Sequence, residues 1–383
     1  MQQDGLEFPR IVISALRGGS GKTILSLGTI AALKKRGNTV APFKKGPDYI
    51  DAGWLALAAG RPCHNLDTFM IPPQRVFASF FCRTSQNDIA VIEGNRGLYD
   101  GIDLEGSTST AELAKLIDAP VILCIDATKT TRTMAAVVSG CEQFDPQVRI
   151  KGVILNRVAG PRHENILRRS IEVHCGIPVL GALPKLGKQN FPERHMGLVP
   201  TPEHSWARDS IDAICDVADR YLDLKALTDI ARHAPRLKPE SADADLTLNK
   251  SHPAAVNATE APVIGIIKDS AFQFYYPENI EALVAAGGKT VFFSPLETET
   301  IPQVDALYIG GGFPETHARE LANNTTFRND LKSLADRGLP IYAECGGLMY
   351  LGEKLVLEDT SYPMAGVLPI VYGFSKRPQG HGY

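Results

Sequence analysis

Short, continuous apolar runs recur through the first 220 or so residues, at 10–16, 39–43, 89–93, 120–126, 150–156 and 179–183. Between them lie stretches with helical spacing of apolar positions, at 22–36, 109–116, 131–141 and 164–174. A strand that is apolar at nearly every position is covered on both faces, and strands of this kind alternating with helices predict a parallel, doubly wound α/β sheet. From 232 to 261 the pattern stops, and Pro, Ala, Asp, Asn and Lys dominate, as in an interdomain linker. Alternation resumes with strands at 263–267, 290–293, 306–309 and 341–343 and a helix at 278–286. The expected organisation is therefore an α/β domain over 1–231, a linker over 232–261 and a second α/β domain over 262–383.

Composition narrows the class. The chain has 383 residues, enough for two domains, and 44% of them are hydrophobic. With 40 basic and 43 acidic residues the net charge is −3, which gives no reason to expect a nucleic-acid or anionic-membrane partner. No signal-peptide pattern and no membrane-length apolar run occur, so a soluble cytoplasmic protein is expected. The seven cysteines are dispersed, without a Cys-x-x-Cys pair, and form neither a disulfide framework nor a structural zinc site.

Two segments carry chemistry. The first is Arg17-Gly18-Gly19-Ser20-Gly21-Lys22-Thr23, between a strand and a helix. Successive backbone N–H groups in such a loop surround phosphate oxygens, and the helix N-terminus adds positive potential. Gly18, Gly19, Ser20, Gly21, Lys22 and Thr23 are the candidate ATP site, with Lys22 neutralising the β/γ-phosphates and the Thr23 hydroxyl on Mg²⁺. Leu16 stands where the usual P-loop has its first glycine, and Arg17 opens the loop, as in the deviant form of the motif. Acidic clusters follow the second and third strands, on the side of the sheet where the P-loop lies. Asp48 and Glu93 are the candidate Mg²⁺-associated residues. Lys45, Tyr49, Asp51 and Asp100 are candidates for substrate binding, and Asn156 is placed to read the adenine.

The second segment is Ile341-Tyr342-Ala343-Glu344-Cys345-Gly346-Gly347, a strand running into a helix through a tight turn. A cysteine on such a turn is exposed, and the helix behind it favours the thiolate. Upstream, a strand ends in Gly310-Gly311-Gly312. Gly311 and Gly312, with Gly346, are the candidate oxyanion hole for a nucleophile at Cys345.

Taken in order, Lys45-Gly46-Pro47-Asp48-Tyr49-Ile50-Asp51, Glu93-Gly94 through Leu98-Tyr99-Asp100-Gly101, Pro192 to Leu198, Gly310 to Glu315 and Glu344-Cys345-Gly346-Gly347 resemble the cobyrinic acid a,c-diamide synthase family and its close relatives, the Ni-sirohydrochlorin a,c-diamide synthases. The resemblance covers nearly the whole chain apart from the linker. It implies a P-loop NTPase domain of the dethiobiotin synthetase type joined to a class I glutamine amidotransferase-like domain. It also implies amidation of the a and c acetate carboxylates of cobyrinic acid through acyl phosphates, with ATP, Mg²⁺ and glutamine-derived ammonia. Expected partners are thus a tetrapyrrole, ATP and glutamine or ammonia, and a homodimer is compatible with this reading. Family members carry a catalytic His after the cysteine. Here only His381 follows Cys345, and the chain is expected to end before the glutaminase fold is complete. Ni-sirohydrochlorin is the alternative substrate. A regulatory ATPase with a non-catalytic second domain is the alternative of another class, and Cys345 on its turn speaks against it.

Overall fold

The computed structural model describes residues 5–185, the backbone of 193–194 and 197–198, and residues 206–237 and 261–373. The chain forms two compact units, Met1–Leu248 and Asn249–Tyr383.

The first unit begins with β1 (Arg10–Ala15), α1 (Lys22–Lys35), β2 (Thr39–Lys45), α2 (Ile50–Ala59), β3 (His64–Leu66), α3 (Pro73–Arg83) and β4 (Asp88–Glu93). It continues with α4 (Thr110–Leu116), β5 (Val121–Asp126), α5 (Thr133–Phe144), β6 (Ile150–Val158), α6 (Pro161–Cys175) and β7 (Val179–Pro184). The two-residue strands β8 (Glu193–Arg194) and β9 (Gly197–Leu198) precede α7 (Ala207–Tyr221) and α8 (Leu224–Arg232). Strands β1 to β7 form one parallel sheet in the order β3-β2-β4-β1-β5-β6-β7. Every residue of β1 and β4 is buried, which is why both read as unbroken apolar runs. Helix α1 is buried at every position from Leu25 to Leu33, so it shows no polar stripe. Because the strands are parallel, the residues that end β1, β2, β4 and β5 all emerge at one edge.

The six expected strands are present, and the sheet gains a seventh, β3, whose three residues are too few to show a pattern. Part of the expected linker belongs to the first unit. Leu237 is buried and pairs with Leu6 in an antiparallel bridge, and the Pro235 carbonyl is held by Arg10. The alanine- and proline-rich composition of this stretch concealed small residues packed in a core.

In the second unit, β10 (Val263–Ile267), α9 (Pro277–Ala285), β11 (Lys289–Phe293) and β12 (Ala306–Ile309) are followed by a 3₁₀ turn at Pro314–His317. Helices α10 (Ala318–Asn323) and α11 (Thr325–Asp336), strand β13 (Ile341–Ala343) and helix α12 (Gly346–Leu351) come next. The parallel sheet runs β11-β10-β12-β13. A core of Phe272, Leu307, Ile309, Leu321, Phe327, Leu331 and Tyr350 packs between sheet and helices. A small second sheet of β14 (Lys354–Leu357), β15 (Thr360–Pro363) and β16 (Val371–Gly373), in the order β15-β14-β16, was not legible in the sequence pattern.

Arg10 ties the first unit together from inside. It is fully buried, and its guanidinium donates to the carbonyls of Phe8 (2.7 Å), Ile117 (2.7 Å), Asp118 (3.0 Å) and Pro235 (2.7 Å). Burial pulls this group down to about 10, against the field of Asp118, and it remains charged at neutral pH. Removing it strands several desolvated carbonyls at once. Arg10→Met is expected to lower stability by about 3–5 kcal/mol in urea denaturation, and a loss below about 1 kcal/mol would show that these carbonyls find other donors.

Candidate functional site

The phosphate loop is braced from behind. Asn156, at the C-terminal end of β6, donates its side-chain amide to the Ser20 carbonyl (2.8 Å), and its own side-chain oxygen accepts from the Arg157 N–H (2.9 Å). Asn156, named from the sequence as an adenine reader, braces the loop in this structure. Gly21 meets this strut directly: its φ is 97°, and a Cβ there would lie 2.2 Å from the Asn156 amide nitrogen. Only glycine fits both the conformation and the contact. Gly18 and Gly19 are exposed, and Ser20 Oγ donates to the Arg17 carbonyl (3.0 Å). Arg17 reaches Asp126 at the end of β5 (3.5 Å), which also pairs with Arg157 (2.7 Å).

Lys22 is buried, and its ammonium donates to the Arg96 carbonyl (2.6 Å) and the Arg17 carbonyl (3.4 Å). Burial lowers its pKa, while Glu93 acts in the opposite direction. Opposite it, the Thr23 hydroxyl donates to Glu93 Oε1 (2.8 Å) and lies 3.3 Å from Asp51 Oδ2.

At the centre is Lys44. Register pairing sets Lys44 on β2 against Glu93 on β4. The Lys44 ammonium, 2% exposed as a residue, lies 2.8 Å from both Glu93 Oε1 and Asp51 Oδ2, and 3.8 Å from Asp48. Burial disfavours its charge, but the carboxylates of Asp51, Glu93 and Asp48 outweigh burial and hold it well above the usual lysine range. Asp51 sits below the usual carboxylate range because Lys44 and its hydrogen bonds overcome the effect of burial. Glu93, deepest in the cluster, is pushed up to about 7 by burial, against the pull of Lys44.

The two aspartates make different contacts. Asp51, in the first turn of α2, reaches Thr23 and Lys44, whereas Asp48 spends Oδ1 on the Asp51 N–H (2.9 Å). Asp100 Oδ2 accepts from the Gly97 N–H (2.8 Å) and so braces its own loop. Tyr49 is half-buried at the start of α2, and Lys45 is buried beside Lys44. The sequence reading missed Lys44 itself. Its signal was a lysine ending β2 opposite a glutamate ending β4, a pairing visible only once register is known.

The residues fit a magnesium ion. Glu93 Oε2 is buried with no protein partner, and Thr23 Oγ1 and Asp51 supply further hard oxygens beside it. Among the described residues no group of three or more His, Cys, Asp or Glu side chains forms a cage.

In the second unit, Cys345 stands exposed between β13 and α12 with φ 49° and ψ −114°, a strained conformation for a side chain other than glycine. The turn is stitched to the glycine loop after β12: the Gly347 N–H donates to the Gly310 carbonyl (3.0 Å), and the Glu344 N–H to the Ile309 carbonyl (3.1 Å). The Tyr308 hydroxyl donates to Glu344 (2.9 Å), and the Gly310 N–H donates to the Tyr275 hydroxyl (2.7 Å). Gly311 is committed to a bridge with Phe274, its carbonyl accepting from the N–H groups of both Gln273 and Phe274. A Cβ on Gly311 would lie 3.2 Å from the Cys345 Cβ, and one on Gly346 would lie 3.1 Å from the Gly312 nitrogen. The three glycines named from the sequence thus lie together at the Cys345 turn. His381 lies outside the described residues, as does His195. His317 ends the 3₁₀ turn with a buried Nε2 that has no partner.

Both units match known domain families. Residues 11–199 match the CobQ/CobB/MinD/ParA nucleotide binding domain, and residues 263–383 match the CobB/CobQ-like glutamine amidotransferase domain. The chain is 44% identical, over 98% of its length, to the cobyrinate a,c-diamide synthase of Magnetococcus marinus, of which it covers 80%. It is 41% identical to that of Dehalococcoides mccartyi (99% of this chain, 81% of the relative) and 39% identical to that of Archaeoglobus fulgidus (99% and 80%). The chain belongs to the cobyrinate a,c-diamide synthase family. As a member it is a glutamine-hydrolysing carbon–nitrogen ligase with a P-loop nucleotide-binding domain. No helix among the described residues is long and apolar enough to cross a membrane.

For this synthase-family loop, Gly21→Ala is expected to displace Asn156 and weaken nucleotide binding by about tenfold or more, or about 1.4 kcal/mol, in titrations with a fluorescent ATP analogue. Wild-type affinity in the variant would mean that the Asn156 brace does not shape the phosphate site.

Proposed function

We propose that this protein amidates the a and c acetate carboxylates of cobyrinic acid, using ATP and ammonia released from glutamine. The observation that carries the reading is the near full-length similarity to cobyrinate a,c-diamide synthases, on a chain whose Lys22, Lys44, Thr23, Asp51 and Glu93 converge at the sheet edge.

The chemistry follows from the charges. A substrate carboxylate is ionised at neutral pH and needs no protein base to attack the γ-phosphorus of ATP. An oxygen–phosphorus bond forms, the bond to ADP breaks, and the product is an acyl phosphate. Catalysis of such a step rests on alignment and on charge neutralisation. The loop N–H groups from Gly18 to Thr23 cradle the phosphates, and the Lys22 ammonium turns from the Arg96 carbonyl towards the transferring group. Thr23, Asp51 and Glu93 would hold a magnesium ion, which would supply neutralising positive charge beside the nucleotide phosphates. Lys44 keeps the two carboxylates together and limits their mutual repulsion. Ammonia then attacks the acyl carbon, inorganic phosphate leaves, and nitrogen loses a proton to give the amide.

Ammonia is supplied at Cys345. The Cys345 sulfur attacks the side-chain carboxamide carbon of glutamine, the thiol proton passes to the departing nitrogen, and the developing oxyanion is met by the N–H groups of Gly312 and Gly346. Collapse releases ammonia and leaves a glutamyl thioester for hydrolysis.

Two variants separate the halves. Products from cobyrinic acid and, in parallel, Ni-sirohydrochlorin are followed by mass spectrometry with ATP, Mg²⁺ and either glutamine or ammonium. Lys22→Ala is expected to lower amide formation from both nitrogen sources by at least about a hundredfold, because positioning and charge neutralisation are lost together. Cys345→Ser is expected to abolish glutamine use and to leave the ammonium reaction near the wild-type rate. Amide from Ni-sirohydrochlorin alone would refute the substrate assignment, and normal turnover of Lys22→Ala would refute the site.

A further inference from the structure

Register places Lys45 on β2 beside Leu66, the last residue of β3, so Lys45 and Asp67 are neighbours at the sheet edge. Both are desolvated, at 8% and 2% exposure. Lys45 feels the charge of Asp67, yet no hydrogen bond or ion pair joins them among the described residues, and burial draws the lysine below its usual range. Asp67 Oδ1 accepts from the N–H groups of Phe69 (2.7 Å) and Met70 (3.2 Å), while its Oδ2 is buried without a partner. A buried ammonium without a contacting anion and a buried acceptor without a donor each carry a desolvation cost that a ligand can offset. The chain bends around Asp67 and then presents Phe69 and Met70 to solvent, at 45% and 55% exposure. Lys45 also feels the charge of Arg96, whose carbonyl receives Lys22, so this corner adjoins the phosphate site.

An apolar ledge next to a lone ammonium and a lone acceptor suits a flat macrocycle with an acidic rim. We infer that Lys45, Asp67, Phe69 and Met70 seat the tetrapyrrole, with Lys45 on a carboxylate that is not being amidated and with Phe69 and Met70 against the macrocycle face. The unpartnered Asp67 oxygen accepts from a side-chain carboxamide once one has been made, so the same corner accepts the substrate before and after the first amidation. This inference rests on the tetrapyrrole reading above.

The test uses the full chain and cobyrinic acid with ATP, Mg²⁺ and ammonium. Lys45→Met keeps the buried stem and removes the charge, and Phe69→Ser/Met70→Ser alters the ledge. Each is expected to raise KM for the tetrapyrrole by about tenfold or more, with KM for ATP and kcat within about threefold of wild type. Lys45→Arg is expected to recover much of the loss, and direct titration by corrin absorbance should move in parallel. A wild-type protein that makes no amide would overturn the functional reading itself. An active wild type whose ledge variant keeps its KM for tetrapyrrole, or whose KM for ATP rises equally, would overturn this inference alone.

Discussion

The ammonium of Lys44, buried between Glu93 and Asp51, is the interaction on which the first unit's site depends. Two carboxylates drawn this close, away from water, repel one another and resist ionisation. With Lys44 at 2.8 Å from each, both stay beside Thr23 at the start of α1, where the phosphate loop ends. Three elements are fixed at once: the end of β2, the end of β4 and the first turn of α2. The parallel sheet makes this possible, because only same-direction strands deliver their final residues to one edge.

The rest of that edge is held by similar means. Asn156 spans from β6 to the loop, Arg17 and Arg157 share Asp126, and Arg10 secures the opposite end of β1 to the carbonyls of Ile117, Asp118 and Pro235. The glutaminase-like unit follows the same logic with different parts. There the strained Cys345 is kept in place by backbone hydrogen bonds to the loop after β12 and by the Tyr308–Glu344 contact. Backbone strain of this kind persists only where the surroundings over-determine it.

How much of this was legible in sequence depended on the length and uniformity of each signal. Strands buried on both faces, such as β1 and β4, announced themselves, as did the Gly-Lys-Thr loop and the Cys-Gly-Gly turn. Strand β3 and the small β14–β16 sheet did not, being too short or too mixed. The acidic residues were found, but which of them faces Thr23 was not legible: Asp51, and not Asp48, is the one that lies beside it. Lys44 escaped notice beside Lys45 because adjacent strand residues point to opposite sides, and only the register with Glu93 says which lysine enters the cluster. Tyr49 and Asp100 were named because they sit in conspicuous motifs, and the Gly97 contact of Asp100 was not visible there.

The central claim is that this lysine-anchored site activates a carboxylate by phosphoryl transfer. It is tested most directly with cobyrinic acid labelled with ¹⁸O in its acetate carboxylates, incubated with ATP, Mg²⁺ and ammonium. The account predicts one ¹⁸O atom in the inorganic phosphate released for each amide formed. Amide formation with unlabelled phosphate would contradict it.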